Sequence, residues 1–399
     1  MGQYKEKASN ILFHFDSLWG VGHLVRSARL IEGLADKFNC YAVCGARAQA
    51  FIKDTCHATY LPQLLYSEDY SRLYSMDGAS VASTLDTRME ICTKTFFQAM
   101  PDAVVLEMFP YGRHALWQEV MALLELCREH SVPIYTSLRD IYIYPSAETE
   151  RAQYIDNIAG ILNKFRIKTI IHSDPLFSKQ NNALPIELLT HDVDYVFSGY
   201  VGRIAAEHEH EHDVIPNVKK VLRVAIGGGR KGVSVYKIAL FLLDAVDEFG
   251  ILYIHESRGL ELSDEIKSSM YSKKGKDVRF VEFTPDFAFS PLPFSNCWIV
   301  SGGYNSAMDI LSLRIPSIIV GLDQEQRIRA DLLASKLDHI GTIDIEASPK
   351  SVVDTWCSIR KGYNTQSSNT LPLLNGAIVT SDFLEREFDN DSSVYSCVT

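Results

Sequence analysis

Residues 301–330 read SGGYNSAMDILSLRIPSIIVGLDQEQRIRA, and their pattern decides the fold. Residues 298–300 are apolar and predict a strand, which a glycine-rich turn connects to a short helix. Pro316 follows that helix, and residues 317–321 predict a second apolar strand. The order strand, helix, strand predicts a βαβ unit in a parallel sheet. In such sheets the loops at the carboxyl ends of the strands bind ligands.

The two loops of this unit offer groups that suit a nucleoside diphosphate. Backbone N–H groups of the glycine turn, two hydroxyls and the amino end of the helix would hold a phosphate. The helix carries Asp309 three residues after Ser306 and on the same side, where its carboxylate could accept hydrogen bonds from a ribose diol. The alternative is an ordinary capped helix with a polar loop. The donor-binding candidates here are Ser301, Gly302, Gly303, Asn305, Ser306, Asp309, Glu325 and Gln326.

These residues resemble the nucleotide-sugar half of GT-B glycosyltransferases, specifically the predicted transferases related to family 28. The best-known member of that family adds N-acetylglucosamine in peptidoglycan synthesis. The group has a GGYNT-x-x-E segment, then a proline and an apolar strand, then an EQ-x-x-RA segment. Here these are residues 302–309, Pro316 and residues 325–330, with Asp309 in place of the family's glutamate. The resemblance implies an α/β chain of two Rossmann-like, doubly wound domains that face each other across a cleft.

The amino end repeats the order of strand, glycine turn and helix. Residues 10–15 predict a strand and residues 24–38 a helix, and Gly20 and Gly22 between them let the backbone approach a donor. His23 would stand at the helix N-terminus, where an imidazole suits general-base catalysis. A packed or capping histidine is equally compatible with this position. The G-x-G-H-L-x-R pattern resembles the start of the related transferases and implies that His23 is catalytic. It also opens a nucleotide-sugar hydrolase, so hydrolysis stays an alternative.

Charged residues follow two further predicted strands, residues 103–106 and 133–137. They are Glu107, Arg113, Arg139 and Asp140. Residues 107–113 and 137–140 resemble the family's E-M-F-P-F-G-R and S-L-R-D segments. The resemblance implies catalytic roles for Glu107 and Asp140, and acceptor binding by Arg113 and Arg139. The alternative for Arg139 and Asp140 is an ion pair that ties loops together.

Two polar segments have open interpretations. Residues 60–94 look irregular and predict either an insert that determines acceptor specificity or a solvated connection. Residues 207–213, EHEHEHD, predict an acidic interdomain linker, with a metal cluster as the alternative. Relatives in family 28 generally use no catalytic metal, so the resemblance implies no metal site.

The second half contains another glycine turn, after a predicted strand at residues 221–226. Gly227, Gly229 and Gly232 match G-x-G-x-x-G, and Glu256 ends the next predicted strand, as in dinucleotide-binding folds. An NAD site is therefore an alternative. The second glycine turn at Gly302 favours a GT-B donor domain, because a GT-B donor domain would contain both glycine turns and a dehydrogenase only the first. We accordingly place Gly227, Gly228, Gly229 and Glu256 at the donor.

Composition limits the function classes. The chain has 399 residues, enough for two domains, and a net charge of −11, which argues against nucleic-acid binding. Its eight cysteines form no C-x-x-C pair, so we expect reduced thiols in the cytoplasm. No apolar run reaches about 18 residues, so we expect no transmembrane helix and at most peripheral membrane contact.

The sequence thus predicts an acceptor-binding domain at residues 1–205, a nucleotide-sugar domain at 206–380 and a polar tail at 381–399. The predicted function is inverting, metal-independent transfer of a hexosyl or N-acetylhexosaminyl group from a nucleotide sugar to a hydroxyl group. The expected nucleotide is UDP. The acceptor would be a glycan, a lipid-linked molecule or a small molecule. The resemblance implies a part in cell-surface glycan biosynthesis. We predict no cofactor besides this co-substrate. A nucleotide-sugar hydrolase and a non-catalytic nucleotide-sugar binder are the alternatives.

Overall fold

The computed structural model describes residues 8–52, 54, 56–67, 69–143, 145, 147–178, 188, 191–203, 220–227, 232–256, 267–268, 275–282, 296–364 and 372–395. The chain forms two compact units. The first comprises Met1–Trp19, His23–Val201 and Asn375–Thr399, and the second comprises Gly20–Gly22 and Gly202–Leu374. The sequence placed the boundaries a few residues later, at 205 and 380.

The described residues of the first unit form a seven-stranded parallel sheet in the order β3-β2-β1-β6-β7-β8-β9. Because central parallel strands are covered on both faces, their sequences are almost continuously apolar. In β1 all six residues are buried. The strands are β1 Asn10–Phe15, β2 Asn39–Gly45, β3 Cys56–Leu61, β6 Ala103–Glu107, β7 Ile134–Arg139, β8 Lys168–His172 and β9 Tyr195–Phe197.

Helices cover both faces of this sheet. Leu12 faces a core built with α2 Val81–Ala99, α3 Trp117–Glu129 and α4 Glu148–Phe165. Ile11 and Phe13 face the opposite core, which includes α1 Gly22–Leu34. Smaller elements are the hairpin of β4 Leu64–Tyr66 and β5 Leu73–Ser75, the helix α5 Pro175–Ser178, and the 3₁₀ turns Ala46–Ala50 and His114–Leu116.

The second unit repeats this architecture with a six-stranded parallel sheet in the order β12-β11-β10-β13-β14-β15 among its described residues. Its strands are β10 Lys220–Ala225, β11 Phe249–Glu256, β12 Asp277–Glu282, β13 Cys297–Ser301, β14 Ser317–Val320 and β15 Ile340–Ile343. Its helices are α6 Val233–Ala245, α7 Tyr304–Leu313, α8 Gln324–Lys336 and α9 Pro349–Asn364. The βαβ unit predicted from residues 301–330 is therefore β13, α7 and β14.

The chain ends in a helix that belongs to the first unit, α10 Gly376–Tyr395. Leu384 of this helix is fully buried in the core that α1 also lines. The close approach of the two helices needs a glycine, because a Cβ at Gly33 would lie 2.5 Å from the Cβ of Ala377. This helix extends as far as Tyr395, into the stretch predicted as a polar tail at residues 381–399. The sequence pattern did not indicate this helix, because its buried side includes the polar residues Thr380 and Ser381.

Residues 60–94, predicted as irregular, contain the end of β3, the β4–β5 hairpin and most of α2. Helix α2 escaped prediction because its buried face carries polar side chains, namely Thr84, Arg88 and Thr95. Its N-cap is Ser80, whose hydroxyl accepts a hydrogen bond from the backbone N–H of Ser83 at 3.1 Å.

Candidate active site

In the first unit, two of the predicted residues, His23 and Arg113, meet at Glu107, the last residue of β6. Its carboxylate is 4% exposed. One oxygen lies 2.5 Å from Nδ1 of His23 and 2.5 Å from Nη2 of Arg26. The other accepts a hydrogen bond from Nε of Arg113 at 2.8 Å, and Nη2 of Arg113 is also 2.8 Å away. One carboxylate therefore holds an imidazole and two guanidinium groups.

The electrostatics of this cluster decide the tautomer of His23. Burial would raise the pKa of Glu107, but the charges of Arg113, His23 and Arg26 hold it well below the usual range. Burial and the charge of Arg113 lower the pKa of His23 to about 4, against the opposing effect of Glu107. At neutral pH the carboxylate is therefore ionised and the imidazole neutral. An ionised carboxylate can only accept, so Nδ1 of His23 carries the proton and Nε2 keeps its lone pair.

Arg139 is the last residue of β7 and Asp140 follows it, at the same edge of the sheet. Asp140 is buried, and Arg139 is half-buried and close enough for its charge to lower the pKa of His23. The structure thus brings His23, Glu107, Arg113 and Arg139 into one electrostatic cluster. Gly20 lies in the turn before α1, the helix that carries His23, and Gly22 is the first residue of that helix.

Two parts of this cluster were not assigned from the sequence. Arg26 of α1 is 2% exposed and contacts Glu107. The sequence did contain a signal for Arg26, because it is the arginine of the G-x-G-H-L-x-R pattern. His172, at the end of β8, is fully buried between the hydroxyls of Ser137 and Ser198, each at 2.8 Å from a ring nitrogen. Burial and the charge of Arg26 lower the pKa of His172 to about 3, so it is neutral.

In the second unit, the two glycine turns come together at the carboxyl ends of β10 and β13. Gly227 has a φ of +71°, and a Cβ there would lie 3.6 Å from Oγ of Ser306 and 3.8 Å from Oγ of Ser301. The N-cap of α7 is Gly303, which has no side chain to cap the helix. The first backbone N–H groups of α7 are therefore available to an anion beside Gly227. The hydroxyl of Ser301 donates to the carbonyl of Ile226 at 2.9 Å, so it would have to exchange that bond to reach a phosphate.

The second predicted loop packs directly against the first. A Cβ at Gly302 would lie 2.6 Å from the carbonyl oxygen of Gln326. Buried Arg329 joins both loops, because Nη1 donates to the carbonyl of Gly302 at 2.7 Å and Nη2 pairs with Glu325 at 2.8 Å. The side chain of Gln326 donates to Asp323, the N-cap of α8, at 3.1 Å. Glu325 and Gln326 therefore have structural contacts within the loop that was predicted to hold the donor.

The remaining donor candidates lie around this site. Asp309 is only 1% exposed, whereas Asn305 is half-exposed. Glu256 ends β11, as predicted, and pairs with Lys267 at 2.9 Å. Gly228, Gly229 and the EHEHEHD stretch lie outside the described residues.

One group of metal-binding residue types occurs in the described part of the chain, formed by His14, Cys92 and Glu119 of the first unit. Both carboxylate oxygens of Glu119 contact the guanidinium of Arg88, at 2.6 and 2.8 Å, and one also contacts Nε2 of His14 at 2.7 Å. A positive charge already compensates this carboxylate, so the group does not suit a cation.

Among the described helices, none combines the length and the apolar character needed to cross a bilayer.

No family model and no curated protein sequence matches the chain. Solved structures do match. A protein from Listeria monocytogenes named as a UDP-N-acetylglucosamine 2-epimerase is 10% identical, with a TM-score of 0.60 over 96% of this chain and 98% of its own. The glycotransferase of kitacinnamycin is 13% identical, with a TM-score of 0.59 over 95% and 99%.

MurG from Acinetobacter baumannii is 12% identical, with a TM-score of 0.53 over 94% of this chain and 95% of its own. At these identities the similarity concerns the fold. It confirms the predicted α/β architecture of two Rossmann-like units of the GT-B type.

Proposed function

We propose that this protein transfers a hexosyl or N-acetylhexosaminyl group from a UDP-sugar to a hydroxyl acceptor, with inversion and without a metal ion. The observation that carries the proposal is the hydrogen bond between Nδ1 of His23 and the ionised Glu107 at 2.5 Å. It fixes the ring and leaves Nε2 as a base. This pairing of imidazole and carboxylate is a general device for activating a hydroxyl.

In the proposed reaction, the acceptor oxygen attacks the anomeric carbon while Nε2 of His23 takes the hydroxyl proton. The bond between that carbon and the diphosphate breaks, and the nucleoside diphosphate leaves with the bonding electrons. A single displacement of this kind inverts the anomeric centre. A pKa of about 4 belongs to His23 without substrate. Negative charge brought by the donor would offset Arg113 and Arg139 and raise this pKa toward neutrality.

Charge growing on the leaving group needs stabilisation, which Gly227, Gly303 and the amino end of α7 would supply through backbone N–H groups. These dipoles favour an anion without a metal, which supports the metal-independent form of the proposal. Asp309 and Asn305 are the candidates for sugar or ribose hydroxyls. One protein with a similar fold is named as a glycotransferase, which supports sugar transfer, and another is named as an epimerase of UDP-N-acetylglucosamine, which supports a UDP-sugar as the donor.

The test measures UDP release from a panel of UDP-hexoses and UDP-N-acetylhexosamines in the presence of EDTA, with and without candidate acceptors. We expect release that depends on the acceptor and persists in EDTA. Equal release without an acceptor would identify a nucleotide-sugar hydrolase. Binding of UDP without release under any condition would identify a non-catalytic binder, and absence of UDP binding in calorimetry would contradict the donor site itself.

A further inference from the structure

The β4–β5 hairpin of the first unit lies at the same sheet edge as His23. It follows β3, and the carboxyl ends of β3 and β1 share that edge because the strands are parallel. The backbone N–H of Tyr66 in the hairpin donates to the carbonyl of Leu18 at 2.9 Å. Leu18 belongs to the segment between β1 and His23. The hairpin is therefore attached to the loop that precedes the proposed base.

In the hairpin tip, Asp69 joins the described residues on either side of it. Its carboxylate accepts hydrogen bonds from the hydroxyl of Ser67 at 2.6 Å and from the hydroxyl and backbone N–H of Ser71 at 2.7 and 3.1 Å. These bonds lower the pKa of Asp69 to about 2. The next residue, Tyr70, has a φ of +60°, which is unusual for a bulky side chain. Such backbone strain persists only where the surroundings impose it, and it is frequent at ligand sites.

This conformation presents Tyr70 to two other aromatic rings. The centroids of Tyr70 and Trp19 are 4.2 Å apart, with an angle of 37° between the ring planes. The centroids of Tyr70 and Tyr66 are 6.3 Å apart. Tyr70 remains 47% exposed. Trp19 lies four residues before His23 in the sequence, and its carbonyl accepts a hydrogen bond from Arg47 at 2.9 Å. We call Trp19, Tyr66 and Tyr70 the aromatic platform.

We propose that the aromatic platform is an acceptor subsite that binds a pyranose ring of a carbohydrate acceptor. This inference rests on the proposed function and specifies its acceptor class. A sugar ring has an apolar C–H face, which suits exposed aromatic side chains, and a rim of hydroxyls. The platform has a matching polar rim in Ser67, Asp69 and Ser71. A lipid chain would place apolar groups against the ionised carboxylate of Asp69, and the negative charge of Asp69 disfavours a phosphate.

The test compares wild type, Tyr70→Ala and Tyr70→Phe with the control Tyr74→Ala. Tyr74 is 36% exposed on the same hairpin but pairs with Leu65, on the face opposite Tyr66. The probes are methyl glycosides of glucose, galactose, mannose and N-acetylglucosamine and their β-1,4-linked disaccharides, measured by saturation-transfer NMR. UDP affinity is measured separately by calorimetry.

We expect at least one probe to bind wild type, and Tyr70→Ala to weaken that binding about three- to tenfold, the range typical of one aromatic contact. Tyr70→Phe and Tyr74→Ala should bind as wild type does, and UDP affinity should not change in any variant. Absence of binding by every probe, or equal binding by Tyr70→Ala, overturns the inference. Loss of binding to phosphatidylcholine vesicles in Tyr70→Ala, in place of loss of sugar binding, would assign a lipid and also overturn it. Sugar binding without UDP binding would leave the subsite in place and refute the proposed function.

Discussion

Replacing Glu107 by glutamine removes one negative charge from the centre of the site while the side chain keeps its size. Glu107 contacts His23 and Arg26 at 2.5 Å and Arg113 at 2.8 Å. The side chain of Arg26 is 3% exposed and that of Arg113 is 15% exposed. The substitution therefore leaves buried positive charge without this carboxylate, and it no longer fixes the tautomer of His23.

The magnitude follows from this burial. Removing one partner of a buried ion pair costs about 3–5 kcal/mol. Water can reach part of Arg113, so we expect the lower end, about 3 kcal/mol. At about 2–4 °C per kcal/mol for a unit of this size, the Tm of the first unit should fall by about 6–12 °C. Loss of the oriented base should lower kcat/KM by about 10²–10⁴.

Differential scanning calorimetry at pH 7 measures the stability change, and UDP release measures the activity. The matched control is Glu125→Gln in α3, whose carboxylate pairs with Arg128 and Lys164 at the surface. Exposed pairs contribute at most about 1 kcal/mol, so this variant should keep its Tm within a few degrees and its activity unchanged. If Glu107→Gln behaved like the control in both assays, the assigned role of Glu107 would be refuted.

Three further predictions concern other parts of the structure. His23 acts as a base only when deprotonated and its pKa is lowered to about 4, so kcat/KM should stay level as the pH falls from 7 and should decline only near pH 4. Because the bound anionic donor raises the pKa of His23, the fall in kcat should begin at a higher pH than the fall in kcat/KM. A decline of kcat/KM near pH 6.5 would contradict the lowered pKa. Gly302→Ala places a Cβ 2.6 Å from the carbonyl oxygen of Gln326, so the affinity for UDP measured by calorimetry should weaken at least about tenfold. An unchanged affinity would show that the contact between Gly302 and Gln326 is not part of the donor site. Leu384→Ala empties a fully buried position in α10 and should cost about 2–5 kcal/mol in thermal unfolding, while Leu373→Ala, at a position 53% exposed, should cost little; equal stabilities would show that α10 is not part of the core.

Much of the fold could be predicted because buried parallel strands are continuous apolar runs that end in charged or glycine-rich turns. The strand of Asn10–Phe15 was predicted to the residue. Helices α2 and α10 were missed because their buried faces mix polar and apolar residues, and the signal in such helices lies in tertiary contacts.

The site was predictable as a set of residue types and positions, since charges placed directly after parallel strands converge at one sheet edge. The sequence could not predict which of these side chains contact one another. Glu107 was assigned a catalytic role, but its simultaneous contacts with His23, Arg26 and Arg113 depend on side-chain geometry. Likewise, the Asp69-stabilised hairpin tip lay in a segment that looked irregular, because its order comes from short local hydrogen bonds and not from an apolar pattern.

The central claim is that His23 is the base of a sugar transfer and not a residue that binds the donor. The most direct measurement compares wild type and His23→Ala in two assays, UDP affinity by calorimetry and acceptor-dependent UDP release from a UDP-sugar. We predict that His23→Ala binds UDP as wild type does and loses about 10²–10⁴ of the release rate. Release at the wild-type rate would contradict the claim, and so would a loss of UDP affinity that alone accounts for the lower rate.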